Sequence, residues 1–255
     1  MNLVLFESAE LTAPIPRTDP RAAHILTVLR RREGDTFDAG AVNGARGKAT
    51  VAAITTDSLA LTFAWDSPQP PLPPTTLLIG LPRPQTARDI LRDATTLGAT
   101  RIHFIATERA DPNYATSTLW TSGEWRRHCL AGAAQAFDTR IPEVTWTHTL
   151  TSALASLPDP APAPDTSPSK VPTRLLALDN YEASAPLRVC HLISDKPSDR
   201  HAGLVLAFGP ERGFGPGDRD TLRAAGFSLA HLGSRVLRVE TAVVAALAIT
   251  RAGVA

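Results

Sequence analysis

The sequence predicts an α/β protein. A small β-rich N-terminal domain over residues 1–70 precedes a larger domain over 71–255, in which strands alternate with helices around a mostly parallel sheet. Three observations predict it. Five of the 22 prolines fall between Pro68 and Pro74, in the stretch SPQPPLPP, which can continue neither a helix nor a central strand and so reads as a stiff boundary. Before it, apolar residues come in short runs flanked by Gly, Asp and Ser. After it, short apolar runs alternate with segments of helical period.

Taken in order, His24–Arg30 (HILTVLR) places Ile25, Val28 and Leu29 on one helix face and leads through Arg31 and Arg32 to the turn Glu33-Gly34-Asp35. Val51–Ile54 and Leu59–Phe63 are strands, so the first domain reads as a small β-barrel with one basic corner. Beyond the boundary, Leu77–Leu81 is a strand. Gln85–Leu97 is a helix with Ala87, Ile90, Leu91, Ala94 and Leu97 at helical spacing and Gly98 as its stop. Ile102–Ala106 is a strand and Glu124–Phe137 a helix. Six prolines from Pro158 to Pro172 mark a surface loop at about 157–172. Leu175–Leu178 and Leu204–Phe208 are buried strands. Asp218–Ala225 is a short helix with Asp218 as N-cap and Gly226 at its end. Glu240–Thr250 is a last helix, apolar on nearly every face, the pattern of a helix buried all round, often at a subunit contact.

Composition narrows the function. Over 255 residues, 26 Lys plus Arg against 25 Asp plus Glu leave a formal charge of +1, which excludes a polyelectrolyte tail or a chain coated in basic charge. A basic face survives within such a total. Lys occurs only at 48, 170 and 196, so 23 of the 26 basic residues are Arg, whose planar fork suits phosphate and stacks on bases. A GC-rich coding sequence produces the same bias. Cys129 and Cys190 form no CxxC pair and the seven His form no HxH or HExxH pattern, so no metal site is expected. The start MNLVLFESAEL lacks the basic region of a signal peptide, and no stretch approaches the roughly 18 apolar residues of a membrane span. A cytoplasmic protein without membrane contact is expected. Trp120 and Trp125 suit base stacking, but core packing is the better expectation.

Two glycine-punctuated segments stand out. Strand Leu204–Phe208 runs into Gly209-Pro-Glu-Arg-Gly-Phe-Gly-Pro-Gly217, where a backbone can approach a ligand closely. It is neither GxGxxG nor a P-loop, so it speaks only weakly for nucleotide phosphate, and a dinucleotide enzyme of the Rossmann type fails because no GxGxxG opens the first βα unit. Leu232-Gly-Ser-Arg-Val-Leu-Arg-Val-Glu-Thr-Ala242 opens the last helix. Capping by a carboxylate explains Glu240 but not the loop before it.

Together, "AFGPERGFGPGDRDTLRAAGF" and "LAHLGSRVLRVETAVVAAL" resemble the C-terminal signature of the SPOUT methyltransferases. Within them the chain is similar to the bacterial 16S ribosomal RNA uridine-N3 methyltransferases (RsmE-type). "HILTVLRRREG", "LPRPQTARDILRDATTLGATRIHFIATERA" and "CLAGAAQAFDTRIPEV" agree in the same order, so the resemblance covers most of the chain outside its proline-rich loops. It implies a PUA-like, RNA-binding barrel over 1–70 and a trefoil-knotted domain over 71–255. It also implies S-adenosylmethionine as cofactor, ribosomal RNA or the small ribosomal subunit as partner, and a homodimer. The cofactor contacts it implies are Phe208, Gly209, Pro210, Glu211 and Gly213 on one loop and Leu232, Gly233, Val236 and Leu237 on the other. An RNA-binding protein of this fold without methyl transfer, or a methyltransferase acting at another RNA position, are the alternatives.

The chain departs from the pattern at Arg212, where the family has Gly and where a positive φ would strain an Arg. It also has Gln135-Ala-Phe-Asp138 in place of Gln-x-Gly-Arg, with Arg140 available to supply the charge, Arg83 in place of Lys, and Thr96 in place of an acidic residue. Methylating uridine N3, with a pKa of about 9, requires an ionisation that costs roughly 3 kcal/mol at pH 7 at about 1.36 kcal/mol per unit. Arg235 and Arg238 are candidates to stabilise the uracil anion, and Glu211 or Glu240 to take the proton. RNA would be gripped by Arg30, Arg31, Arg32, Arg46, Lys48, Arg83, Arg109 and Arg140, in contacts that position rather than specify.

Overall fold

The computed structural model describes residues 3–157, 173–187 and 203–251. The proline-rich loop, beyond Leu157, and Cys190 lie outside the described residues. The chain divides into two compact units, Met1–Pro71 with Leu130–Ile141, and Leu72–Cys129 with Pro142–Ala255.

The first unit holds β1 (Val4–Phe6), β2 (Ile15–Pro16), β3 (Thr36–Ala41), β4 (Arg46–Ile54) and β5 (Ser58–Trp65) in one sheet of order β1-β3-β4-β5-β2. β1 runs parallel to β3 and the other pairs are antiparallel. Phe6, Ile15, Phe37, Val51 and Leu59 form its core with Ile25. β1, β2 and β3 are short or interrupted by Asp, Gly and Pro, so the sequence pattern carries no clear strand signal for them. The basic helical patch is split. α1 (Pro20–Ala23) is capped by Asp19, whose carboxylate accepts the Arg21 N–H at 2.7 Å, and a π-helical turn follows over His24–Val28. That wider turn, closed by the Leu29 N–H on the His24 carbonyl at 2.9 Å, carries Val28 off the Ile25 face. Ile25 is buried and Leu29 packs against the same core, but Val28 is 64 % exposed, so only part of the apolar face expected from an α-helical period forms.

The second unit is a six-stranded sheet of order β11-β9-β10-β6-β7-β8 in which every pairing is parallel. Its strands are β6 (Thr75–Gly80), β7 (Arg101–Ala106), β8 (Glu143–Thr149), β9 (Arg174–Leu178), β10 (Leu204–Phe208) and β11 (Ser228–Ala230). β6 and β10 are buried along almost their whole length, as strands covered on both faces must be. The helices are α2 (Pro84–Thr96), α3 (Thr118–Thr121), α4 (Glu124–Gln135), α5 (Leu150–Ala155), α6 (Pro216–Ala224) and α7 (Val239–Arg251).

The boundary between the units falls within α4. That helix stops two residues short of the expected Phe137, which takes the left-handed conformation with φ +57°. The Asp138 N–H reaches the Ala133 carbonyl and the Phe137 N–H the Ala134 carbonyl, the crossed pair of bonds that closes a helix on a left-handed residue. α6 begins earlier than expected. Gly215 is its N-cap, and Asp218 sits a turn inside, its carboxylate accepting the Gly215 N–H at 2.9 Å. α7 packs on α2 and buries Val239, Val243, Ala246, Leu247 and Thr250, while Thr241 and Ala248 are exposed. Among the described residues it is therefore a one-sided helix, because its small residues give the other faces an apolar composition without a covering layer.

Candidate functional site

Strand order reverses between β6 and β10. From β6 the sheet grows outward to β7 and β8 on one side, and the returning chain builds β9, β10 and β11 on the other. At such a switch point the loops at the carboxyl ends of the strands part and leave a crevice. A cavity of about 540 Å³ opens there, walled by the ends of β9 and β10, the start of α2 and the segment between β11 and α7.

The first wall begins at Phe208, the last residue of β10. A Cβ on Gly209 would lie 2.5 Å from both the Gly213 carbonyl carbon and the Phe214 nitrogen, so only glycine lets the chain fold back so tightly. The Gly213 N–H closes the turn on the Pro210 carbonyl at 2.7 Å, and Gly213 itself takes the positive φ of +70°. Arg212 does not, so Arg in the family's glycine position stands without backbone strain. Two further bonds pin the turn. The Glu211 carboxylate accepts the Arg83 N–H at 2.9 Å, occupying one of the unpaired donors at the N-terminus of α2, and the Arg109 guanidinium donates to the Arg212 carbonyl at 2.9 Å.

The opposite wall is the segment from Leu232 to Arg238. Leu232, Val236, Leu237 and Arg238 line the cavity, followed by Val239, Glu240 and Ala242 from the start of α7. Gly233 does not line it, and its N–H donates to His231 Nδ1 at 3.0 Å. Arg235 is exposed and also outside the lining, with its carbonyl accepting from Asn180 Nδ2 at 3.4 Å. Of the four residues expected to do chemistry, Glu211, Arg238 and Glu240 meet at the cavity. Arg238 Nη1 stands 4.0 Å from Glu240 Oε1.

The sequence pattern did not point to Leu178–Tyr181, which follows β9 and also lines the cavity. Asp179 is 5 % exposed, and its Oδ1 accepts the N–H groups of Tyr181 and Glu182, each at 2.8 Å. Its Oδ2 takes Arg219 Nε at 2.8 Å, and Arg219, 4 % exposed, also lies over the Tyr181 ring at 5.3 Å. The available signal was an Asp-Asn pair at the carboxyl end of a strand, where sheets of this kind bind ligands.

The expected RNA contacts divide sharply. In the first unit Arg30 and Arg32 are exposed and Arg31 is half-buried. Arg46 donates to the Phe137 carbonyl at 3.0 Å and covers the Phe137 ring, and Lys48 pairs with Asp38 at 2.6 Å. Arg140 pairs with Asp138 at 2.8 Å and donates to the Pro70 carbonyl at 2.6 Å. It therefore neutralises the acid beside it instead of standing free in place of the missing family arginine. Burial pushes the Asp138 carboxyl up, but the Arg140 contacts prevail and hold it below the ordinary carboxylate value. In the second unit Arg83 lines the cavity and Arg109 lines a neighbouring cleft. Trp120 is 3 % exposed and packs on Phe104 and Trp146, while the half-buried Trp125 leans on Trp146. Among the described residues no three His, Cys, Asp or Glu side chains gather as metal ligands, and no helix is long and apolar enough to cross a membrane.

Residues 68–251 match the protein family described as the RNA methyltransferase domain. The chain belongs to this RNA methyltransferase family. It is 32 % identical to the ribosomal RNA small subunit methyltransferase E of Treponema pallidum, over 99 % of this chain and 91 % of that protein. It is 25 % identical to ribosomal RNA small subunit methyltransferase E 1 of Borreliella burgdorferi, over 98 % and 97 %. Among solved structures it superposes on the ribosomal RNA small subunit methyltransferase E of Neisseria gonorrhoeae, bound to S-adenosyl methionine, with a TM-score of 0.74 at 20 % identity, covering 98 % of this chain and 97 % of that one. A probable rRNA-methyltransferase from Porphyromonas gingivalis gives a TM-score of 0.76 at 20 % identity, with 98 % of each chain covered. The family model begins at residue 68, whereas the alignment with the Treponema pallidum protein runs over 99 % of the chain and so takes in both compact units.

Proposed function

We propose that this chain is an S-adenosylmethionine-dependent methyltransferase that modifies N3 of a uridine in small-subunit ribosomal RNA, working as a homodimer in the cytoplasm. The reading takes the switch-point cavity as the cofactor site, the C-terminal domain as a trefoil knot and the N-terminal domain as a PUA-like RNA-binding barrel. One observation carries it: the two glycine-punctuated segments, 23 positions apart at Gly209 and Leu232, line a single cavity in a chain of this family. The cavity fits the cofactor. Its volume suits a ligand of that size, Leu178, Phe208 and Leu237 offer apolar surface, and the tight turn at Gly209 presents backbone to the interior.

When bound, the cofactor supplies an electrophilic methyl group on a sulfonium. The chain must then hold a uracil beside it, lower the cost of ionising N3 and exclude water. Arg238 faces the cavity at 4.0 Å from its nearest carboxylate, so its guanidinium is available to a uracil carbonyl oxygen, where negative charge accumulates as N3 loses its proton. This favours Arg238 over Arg235, which lies outside the lining. Glu240 is the better proton acceptor, because one oxygen of Glu211 already takes the Arg83 N–H. A binding protein without turnover draws no support from Arg212, since the left-handed residue of the turn is Gly213.

The test is methyl transfer in vitro from isotopically labelled cofactor to small subunits lacking the modification, with nucleosides resolved by mass spectrometry. The expected product is 3-methyluridine, lost with Glu240→Gln or Arg238→Met. A methylated nucleoside other than 3-methyluridine overturns the position, and cofactor binding without transfer to any RNA overturns the enzyme.

A further inference from the structure

Beside the cofactor cavity lies a second cleft of about 390 Å³, which shares Arg83, Pro210 and Glu211 with it as a common wall. We infer that this second cleft receives the phosphate-flanked target nucleotide, with the guanidinium groups of Arg212 and Arg83 as its phosphate contacts. The inference rests on the methyltransferase reading and adds to it a place for the acceptor and a role for Arg212.

Charge supports it once each partner is counted. Three guanidinium groups (Arg83, Arg109 and Arg212) and three carboxylates line the cleft. Every carboxylate is already engaged by backbone at a helix start. Glu108 accepts the Gly217 N–H of α6 at 3.0 Å, Asp111 accepts the Asn113 N–H at 3.0 Å in a 3₁₀ turn, and Glu211 accepts the Arg83 N–H at the start of α2. Helix N-termini carry partial positive charge that offsets such acids. Arg109 is committed to the Arg212 carbonyl. Among the described residues the exposed side chains of Arg83 and Arg212 make no hydrogen bond or ion pair. The cleft therefore presents two uncommitted forks of the geometry that suits phosphate. Half-buried Tyr114, whose carbonyl is fixed by Trp120 Nε1 at 2.9 Å, adds an aromatic face on which a base can stack.

Position supports it as well. Methyl transfer requires the acceptor nucleotide within a few ångströms of the donor, and a nucleotide in this cleft meets the cofactor cavity across the Pro210–Glu211 turn. Arg212 sits at the tip of that turn, on the side away from the cofactor lining, which includes its neighbours Glu211 and Gly213 but not Arg212 itself. The substitution of Gly by Arg thus adds a cation on the acceptor side.

The experiment compares the wild-type protein with Arg212→Gln and Arg83→Gln. Cofactor affinity by calorimetry is expected to stay within about twofold for Arg212→Gln, whose side chain lies outside that cavity. Binding of a short single-stranded ribosomal RNA fragment, followed by fluorescence anisotropy over a salt series, should lose about 0.7 from its log–log slope for each phosphate contact removed. For Arg212→Gln the KM for RNA should rise about tenfold with kcat unchanged, as for a contact made equally in ground and transition states. An unchanged slope and KM in both variants overturns the cleft, as does a loss confined to cofactor affinity. If the wild-type protein transfers no methyl group to any RNA, the enzymatic reading fails, and the anisotropy series still decides the cleft by itself.

Discussion

The two walls of the switch-point cavity are built in opposite ways. The turn from Gly209 to Gly213 is held at every residue, by a backbone approach that only glycine permits, the 2.7 Å closure onto Pro210, the Glu211 bond to α2 and the Arg109 bond to the Arg212 carbonyl. The segment from Leu232 to Arg238 has exposed residues from Gly233 to Val236, Val236 is 84 % exposed, and its cross-contact is a 3.4 Å bond to Asn180. The first wall is a preformed surface. Among the described residues the second has little of its own to hold it in place. Binding would then draw shape from one turn and pay its ordering cost on the other.

The largest expected effect lies outside both walls, at the Asp179 that also lines the cavity. Arg219→Met leaves the Asp179 carboxylate buried without its cation, which should cost about 3–5 kcal/mol in urea denaturation. A loss below about 1 kcal/mol would mean that the floor of the site does not depend on that ion pair. Next, Gly209→Ala places a methyl group against two backbone atoms that have no flexible side chain to yield. A loss of about 3 kcal/mol and of measurable cofactor binding is expected, and wild-type affinity would show that the first wall is not stiff. The smallest change in stability lies on the other wall. Val236→Ser should alter stability by no more than about 0.5 kcal/mol, as for an exposed position. Adding cofactor should slow amide exchange across 232–238 and leave 209–213 unchanged, because only the former has order to gain. Equal protection of both segments would erase the contrast between them.

Much of the framework was legible. Leu204–Phe208 is a strand over its expected residues, and α2, β7 and α7 depart from their expected bounds by a residue or two, since apolar period and Pro or Gly punctuation act within a few positions. The glycine turn was legible for the same reason, although its left-handed residue is Gly213 and not the family glycine that Arg212 replaces. The strands β8 and β11 were not, one being mixed with polar residues and the other three residues long. Nor was the π turn at His24–Val28, which shares its sequence signals with an α-helix.

By itself the sequence determined the long apolar strands, the helices of clear period and the glycine turn, and which residue types stand there. Only the tertiary structure decided that β10 inserts between β6 and β9, and that Glu211 meets a backbone N–H 128 positions away. It likewise decided that Asp179 and Arg219, 40 positions apart, are buried as a pair under the cavity. Steric and periodic preferences are short-ranged and can be read along the chain. The partner of a buried charge and the neighbour of a parallel strand are set by packing among segments distant in sequence, where many pairings satisfy the same local pattern.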